Sequence, residues 1–194
     1  MIGKYKQMPQ LAEQLLGVLV YSSVFISCCA FSLTIETYKL AKVPVSLPMA
    51  VFVFLATLFT YNLSSVYSFM RRPHQQRYKE GSEWWQRNKK ALAIAGAISI
   101  AAAVGVYLYF GLRINAWVML HLAVISIGYT VPVIYKKDRI RPLRSIPLLK
   151  VFLIAYVWAV VTAGFPLLDA GSAAWEAQGL LLVLRRFLFI LALA

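Results

Sequence analysis

The run TYNLSSVYSFMRRPHQQR, Thr60–Arg77, decides how the whole chain is read. A greasy segment turns polar on one side, then breaks into two arginines and a proline. At 3.6 residues per turn, Tyr61, Ser65, Ser68 and Arg72 share one face, with Asn62 beside them. Pro73 disfavours helix in the residue before it, so the segment closes there. A polar stripe at the end of an apolar helix should face a protein cavity rather than lipid.

Composition fits that picture. Hydrophobic residues fill 61% of 194 positions and charged ones only 14%, where a soluble globule carries about 25% charged. The chain therefore reads as an all-α, polytopic membrane bundle forming a single domain over residues 1–194. A membrane crossing needs about 20 apolar residues. Such runs extend over about 15–35, 45–69, 91–110, 117–135 and 146–165, giving five full spans. A sixth starts near Gly179 and is still apolar at Ala194, so it reads as incomplete and the chain as part of a longer protein. Backbone groups in lipid must bond within their own segment, which makes each span a helix.

The net charge of +13 does not point to nucleic acid, because the basic residues sit in short connections between apolar runs. Two segments, 70–90 and 136–147, hold most of them and read as cytoplasmic loops, which also places the amino terminus in the cytoplasm. Ser82 reads as a helix N-cap with Glu83 in the first turn. Cys28 and Cys29 are helix neighbours pointing about 100° apart, so they read as core or lipid-facing thiols. His121 reads as a hydrogen-bonded structural histidine, His74 as solvated, and the face Gly96–Ser99–Ala103 as a close packing surface within the chain or between copies. Arg185 and Arg186 interrupt the last apolar run. A charge at mid-bilayer costs about 2.5–3.5 kcal/mol, so both are expected near the outer interface.

The two basic segments would flank one cavity mouth and attract a phosphorylated ligand or an anionic headgroup. The order of these elements resembles the UbiA superfamily of intramembrane prenyltransferases, in a divergent bacterial form. In that family the second helix ends in an Asn-Asp-x-x-Asp-x-x-x-Asp motif before an Arg-rich, Pro-containing loop. Here Asn62, Ser65 and Arg71-Arg72-Pro73 stand in that place. The family's Tyr-x-x-x-Lys-Arg segment has its counterpart in YTVPVIYKKDRIRPLRSIPLLK, Tyr129–Lys150, and the phrase from Ile146 to Pro166, with Lys150 and Trp158, is also similar.

The resemblance implies a bacterial inner-membrane enzyme that transfers an isoprenoid chain from a prenyl diphosphate to an aromatic or lipid acceptor. It implies Mg²⁺ on the diphosphate, with Asn62, Ser65, Arg71, Arg72, Lys136, Lys137 and Lys150 around it and Tyr61, Ser68 and Tyr129 lining the cavity. Yet no Asp or Glu lies between Thr60 and Arg77, and the sequence offers no evident metal ligands. The alternative expectation is a non-catalytic lipid-binding or assembly subunit that keeps the helical frame. A small-solute transporter would want broken helices in matched halves, which the runs do not show.

Overall fold

The computed structural model describes residues 23–71, 82–130, 132–136, 139–142, 147–171 and 177–193. Its helices are α1 (Val24–Leu40), α2 (Leu47–Arg71), α3 (Ser82–Phe110), α4 (Ala116–Thr130), α5 (Pro147–Ala159), α6 (Phe165–Ala170) and α7 (Ala177–Leu193). A π-helical turn, Val160–Gly164, joins α5 directly to α6. Among the described residues, three stretches are long and apolar enough to cross a membrane: Leu47–Val66, Lys90–Phe110 and Leu148–Ala170. They are the second, third and fifth of the expected spans.

The other two expected spans differ. The first begins outside the described residues, and the 17-residue α1 runs past its expected end near Ile35 to Leu40. The fourth was expected to continue to Tyr135, but α4 stops at Thr130 after 15 residues. Pro132 accounts for the stop, since it lacks an N–H and restricts the residue before it. Beyond it, Pro132–Lys136 pairs antiparallel with Arg139–Pro142, with Ile134 opposite Arg141 and Lys136 opposite Arg139. Val133, Ile134 and Tyr135 favour a strand, so the expected loop 136–147 starts as a small hairpin in an otherwise helical frame. The expected loop 70–90 is likewise helical from Ser82 onward. Ser82 is thus the first helical residue, and the cap position before it lies outside the described residues.

Local chemistry sets the ends of the helices. α1 closes with Lys42 at φ 56°, where the Val43 N–H reaches the Tyr38 carbonyl at 3.1 Å. That is the C-terminal pattern usually given to glycine. α3 closes in the same way with Gly111 at φ 58° and Leu112 N–H on the Tyr107 carbonyl. α4 opens on Asn115, whose side-chain oxygen accepts the Trp117 N–H at 2.9 Å.

α2 is the central post. Phe52 near its start meets Tyr107 of α3 and Phe165 of α6, with ring centroids at 6.1 and 6.3 Å. Further along α2, Asn62 lies against Gly96, so α3 runs antiparallel to it. Gly96, Ser99 and Ala103 are all buried, and the small-residue face packs inside the chain against α2. Cys28 is exposed, Cys29 is half-buried, and both are free thiols.

The antiparallel order gives the bundle two distinct ends. One gathers the end of α1, the start of α2, the α3–α4 connection and Asp169 of α6. The other, the basic end, gathers Arg71, the start of α3, the end of α4 and Lys150.

Candidate functional site

Between α2, α4 and α5 lies a two-lobed cavity. The deep lobe, about 290 Å³, reaches from Phe52 and Phe165 to Tyr61 and Trp158 and is walled almost wholly by carbon. The second lobe, about 190 Å³, continues toward the basic end past Ser64, Tyr129, Leu153 and Ile154. From Phe52 to Ser64 the two lobes follow α2 for about 18 Å, at 1.5 Å per residue. The deep lobe opens sideways between α3 and α4, where Ile100, Val104 and Ala123 are at once cavity-lining and exposed. A cavity mouth on the apolar flank of the bundle suits a hydrocarbon chain arriving from lipid.

The lobes meet at one polar contact. Trp158 Nε1–H donates to the Tyr61 hydroxyl at 3.2 Å, tying α5 to α2. Thr60, Ser126 and Val157 also border both lobes. His121 Nε2 of α4 and the Tyr156 hydroxyl of α5 are hydrogen-bonded at 3.1 Å; the sequence suggested a hydrogen-bonded histidine but not its partner.

The predicted site residues divide accordingly. Tyr61 lines both lobes and Tyr129 the lobe toward the basic end. Lys150 is exposed in the first turn of α5, one turn before Leu153 and Ile154 of that lobe. Asn62 is 1% exposed and packs against Gly96, and neither lobe includes it. Its amide N and O have no hydrogen-bond partner among the described residues. Ser65 is half-buried, and it is Ser64 that reaches the cavity. Arg72, Lys137 and His74 lie outside the described residues, as do the side chains of Ser68, Arg71 and Lys136.

The donor set does not fit Mg²⁺. A hard cation wants several carboxylate oxygens, whereas Asn62 and Ser65 offer neutral ones and Asn62 is turned away into the α2–α3 interface. Among the described residues, no three His, Cys, Asp or Glu side chains gather.

A second polar cluster was not legible as a site. Pro166 has no N–H, so the carbonyl of Thr162, four residues earlier, loses its partner within the helix. The chain widens into the π turn there, and the Thr37 hydroxyl of α1 donates to that carbonyl at 2.8 Å. Arg186 of α7 joins from the other side, its Nη2 at 3.3 Å from Thr37 Oγ1 and 2.7 Å from Glu36 Oε2. Arg186 is only 8% exposed, and its partner Glu36 lies about one turn from the end of α1. Arg185 is exposed, while Arg186 turns inward because Glu36 and Thr37 supply the partners that lipid cannot.

Toward the Asp169 end, the Tyr38 hydroxyl donates to Asp169 Oδ2 at 2.9 Å and the Arg113 N–H donates to Oδ1 at 3.2 Å. Thr162 lines the deep lobe, which makes the Arg186 cluster a support for one cavity wall. The chain matches no known protein family, no curated protein and no solved structure.

Proposed function

We propose that this protein holds a long-chain lipid with an anionic phosphate head, its tail in the two-lobed cavity and its head at the basic end. A prenyl diphosphate is the ligand the resemblance to the UbiA superfamily names. The observation that carries this reading is the continuity of a carbon-walled cavity with a cationic end. The lobe past Tyr61 comes within one helical turn of the exposed Lys150. Arg71 ends α2 and Lys136 ends the first strand at that end, and Arg72 and Lys137, which follow them in the sequence, would add to its charge. A lipid phosphate is drawn to such a cluster at about 1 kcal/mol per basic residue near the surface.

In this reading α1 and α4 complete five crossings together with the three long apolar helices. The basic end faces the cytoplasm, with the amino terminus on the same side, in a bacterial inner membrane. The protein acts as a lipid-binding or assembly component that keeps a UbiA-like frame. Prenyl transfer is the second reading, favoured by one feature: the cavity runs along the Tyr61–Ser64 segment, the place of the family's first motif. Diphosphate release on mixing with an acceptor would decide for transfer.

The binding reading is tested by titrating farnesyl diphosphate against the purified protein in discs of zwitterionic lipid. Wild type is expected to bind saturably. Ala123→Trp, at the exposed lateral mouth, is expected to weaken binding at least about tenfold, the equivalent of roughly two methylenes kept out of the cavity. Its thermal stability should be unchanged. Non-saturable uptake, or equal binding by both proteins, would contradict the reading.

A further inference from the structure

The cavity is divided, and the divider is a specific pair of side chains. Tyr61 and Trp158 border both lobes, come from different helices, and meet through a single hydrogen bond of 3.2 Å. The lobe beyond them, toward Phe52 and Phe165, is the larger at about 290 Å³. The lobe on the basic side is about 190 Å³ and carries hydroxyl groups on Ser64 and Tyr129. We infer that the Tyr61–Trp158 pair is a length filter: it sets how long a hydrocarbon tail the cavity accepts when the phosphate is held at the basic end.

Such a filter presupposes the lipid binding proposed above and follows from the geometry of the pair. A tail anchored by its head near Lys150 first fills the smaller lobe. A short chain ends there, in contact with the indole and phenol rings. A longer chain must pass the pair, which requires the hydrogen bond to break and the rings to turn aside. That cost falls on long tails alone, because only they enter the deep lobe. The deep lobe in turn rewards passage, since its wall is apolar and each added methylene there leaves water or lipid for a fitted contact. The pair therefore acts on the difference between tails and not on binding as such.

Trp158 is well placed for such a role. It lies two residues before the π turn, and the Thr162 hydroxyl donates to its carbonyl at 2.7 Å. The backbone under the indole is thus fixed while the side chain alone spans the cavity. Tyr61 sits in the middle of a regular helix, with its hydroxyl as the acceptor.

Geranyl, farnesyl and geranylgeranyl diphosphates, with 10, 15 and 20 tail carbons, serve as probes on the full chain in lipid discs. Trp158→Leu removes the ring, Trp158→Phe keeps bulk without the N–H, and Tyr61→Phe keeps the ring without the acceptor. We expect Trp158→Leu to raise the ratio of geranylgeranyl to geranyl affinity by about tenfold, the worth of roughly two more buried methylenes. The two phenylalanine variants should move the same ratio in the same direction by less, and they guard against a failure of the leucine variant to fold. If all three variants fold and the ratio stays within about twofold of wild type, the filter is overturned while the binding reading stands. If wild type binds none of the three probes saturably, the binding reading itself has failed.

Discussion

Glu36→Ala is expected to destabilise the bundle by about 2–3 kcal/mol, whereas Arg186→Met should cost about 1 kcal/mol or less. The asymmetry follows from where each partner sits. Arg186 is 8% exposed and Glu36 is 51% exposed on its side chain, with 2.7 Å between Nη2 and Oε2. Removing Glu36 leaves a guanidinium buried among apolar helices, with Thr37 and the Leu33 carbonyl as its remaining partners among the described residues. Removing the guanidinium leaves a carboxylate that water or headgroups can still reach, and methionine fills the space with carbon. The estimate stays at the lower end of what a broken buried pair costs because Glu36 is half solvated. Thermal unfolding in detergent reads the difference, with Glu36→Ala lowering the midpoint by about 4–12 °C for a chain of this size. Equal shifts in the two variants would mean that the charge of Arg186 is satisfied by something other than Glu36.

Asp169→Ala should lower stability by about 1–3 kcal/mol, the penalty for a buried donor left without its acceptor. Tyr38 is 1% exposed and donates to one carboxylate oxygen, while the Arg113 N–H donates to the other. A single side chain of α6 thus fastens both the end of α1 and the α3–α4 connection. Asp169→Asn keeps one acceptor oxygen and should recover part of the loss, and Tyr38→Phe removes the stranded donor. The double variant Tyr38→Phe with Asp169→Ala is therefore expected to be less than additive, since the two residues touch. Strict additivity in the same unfolding assay would show that the hydrogen bond contributes nothing.

How far the sequence carries depends on which forces a residue type reveals. Long apolar runs announce spanning helices without knowledge of their neighbours, and α2, α3 and α5 lie where the runs placed them. The end of α4 shows the limit, because an apolar count passes straight through Val131 while Pro132 stops the helix. Tyr61 and Tyr129 were readable as cavity residues, since a hydroxyl on an apolar helix needs a protein surface to face. The deep lobe was not readable. Phe52, Val161 and Phe165 look the same whether they face lipid or an internal space, and only the packing of α2 against α5 and α6 separates the two cases. Asn62 was grouped with the polar stripe, yet it is turned about 100° from Tyr61 and ends against Gly96. The burial of Arg186 was hidden for a related reason: its charge is visible in the chain, but its partner Glu36 lies 150 residues away. A signal was present all the same. Glu36 and Thr37 close an apolar run, and Pro166 guarantees a carbonyl in want of a donor.

The proposed function requires that a hydrocarbon tail occupy the cavity between α2, α4 and α5. The most direct measurement is photo-crosslinking with a farnesyl diphosphate analogue that carries a diazirine in its tail, followed by mapping of the labelled residues. Labels are expected on Met119, Val161 and Phe165, which line the deep lobe, and are expected to disappear when unlabelled farnesyl diphosphate is added. Labels confined to Ile94, Ile98 and Leu108, exposed on α3 and outside both lobes, would show only partition into surrounding lipid and would contradict the proposed function.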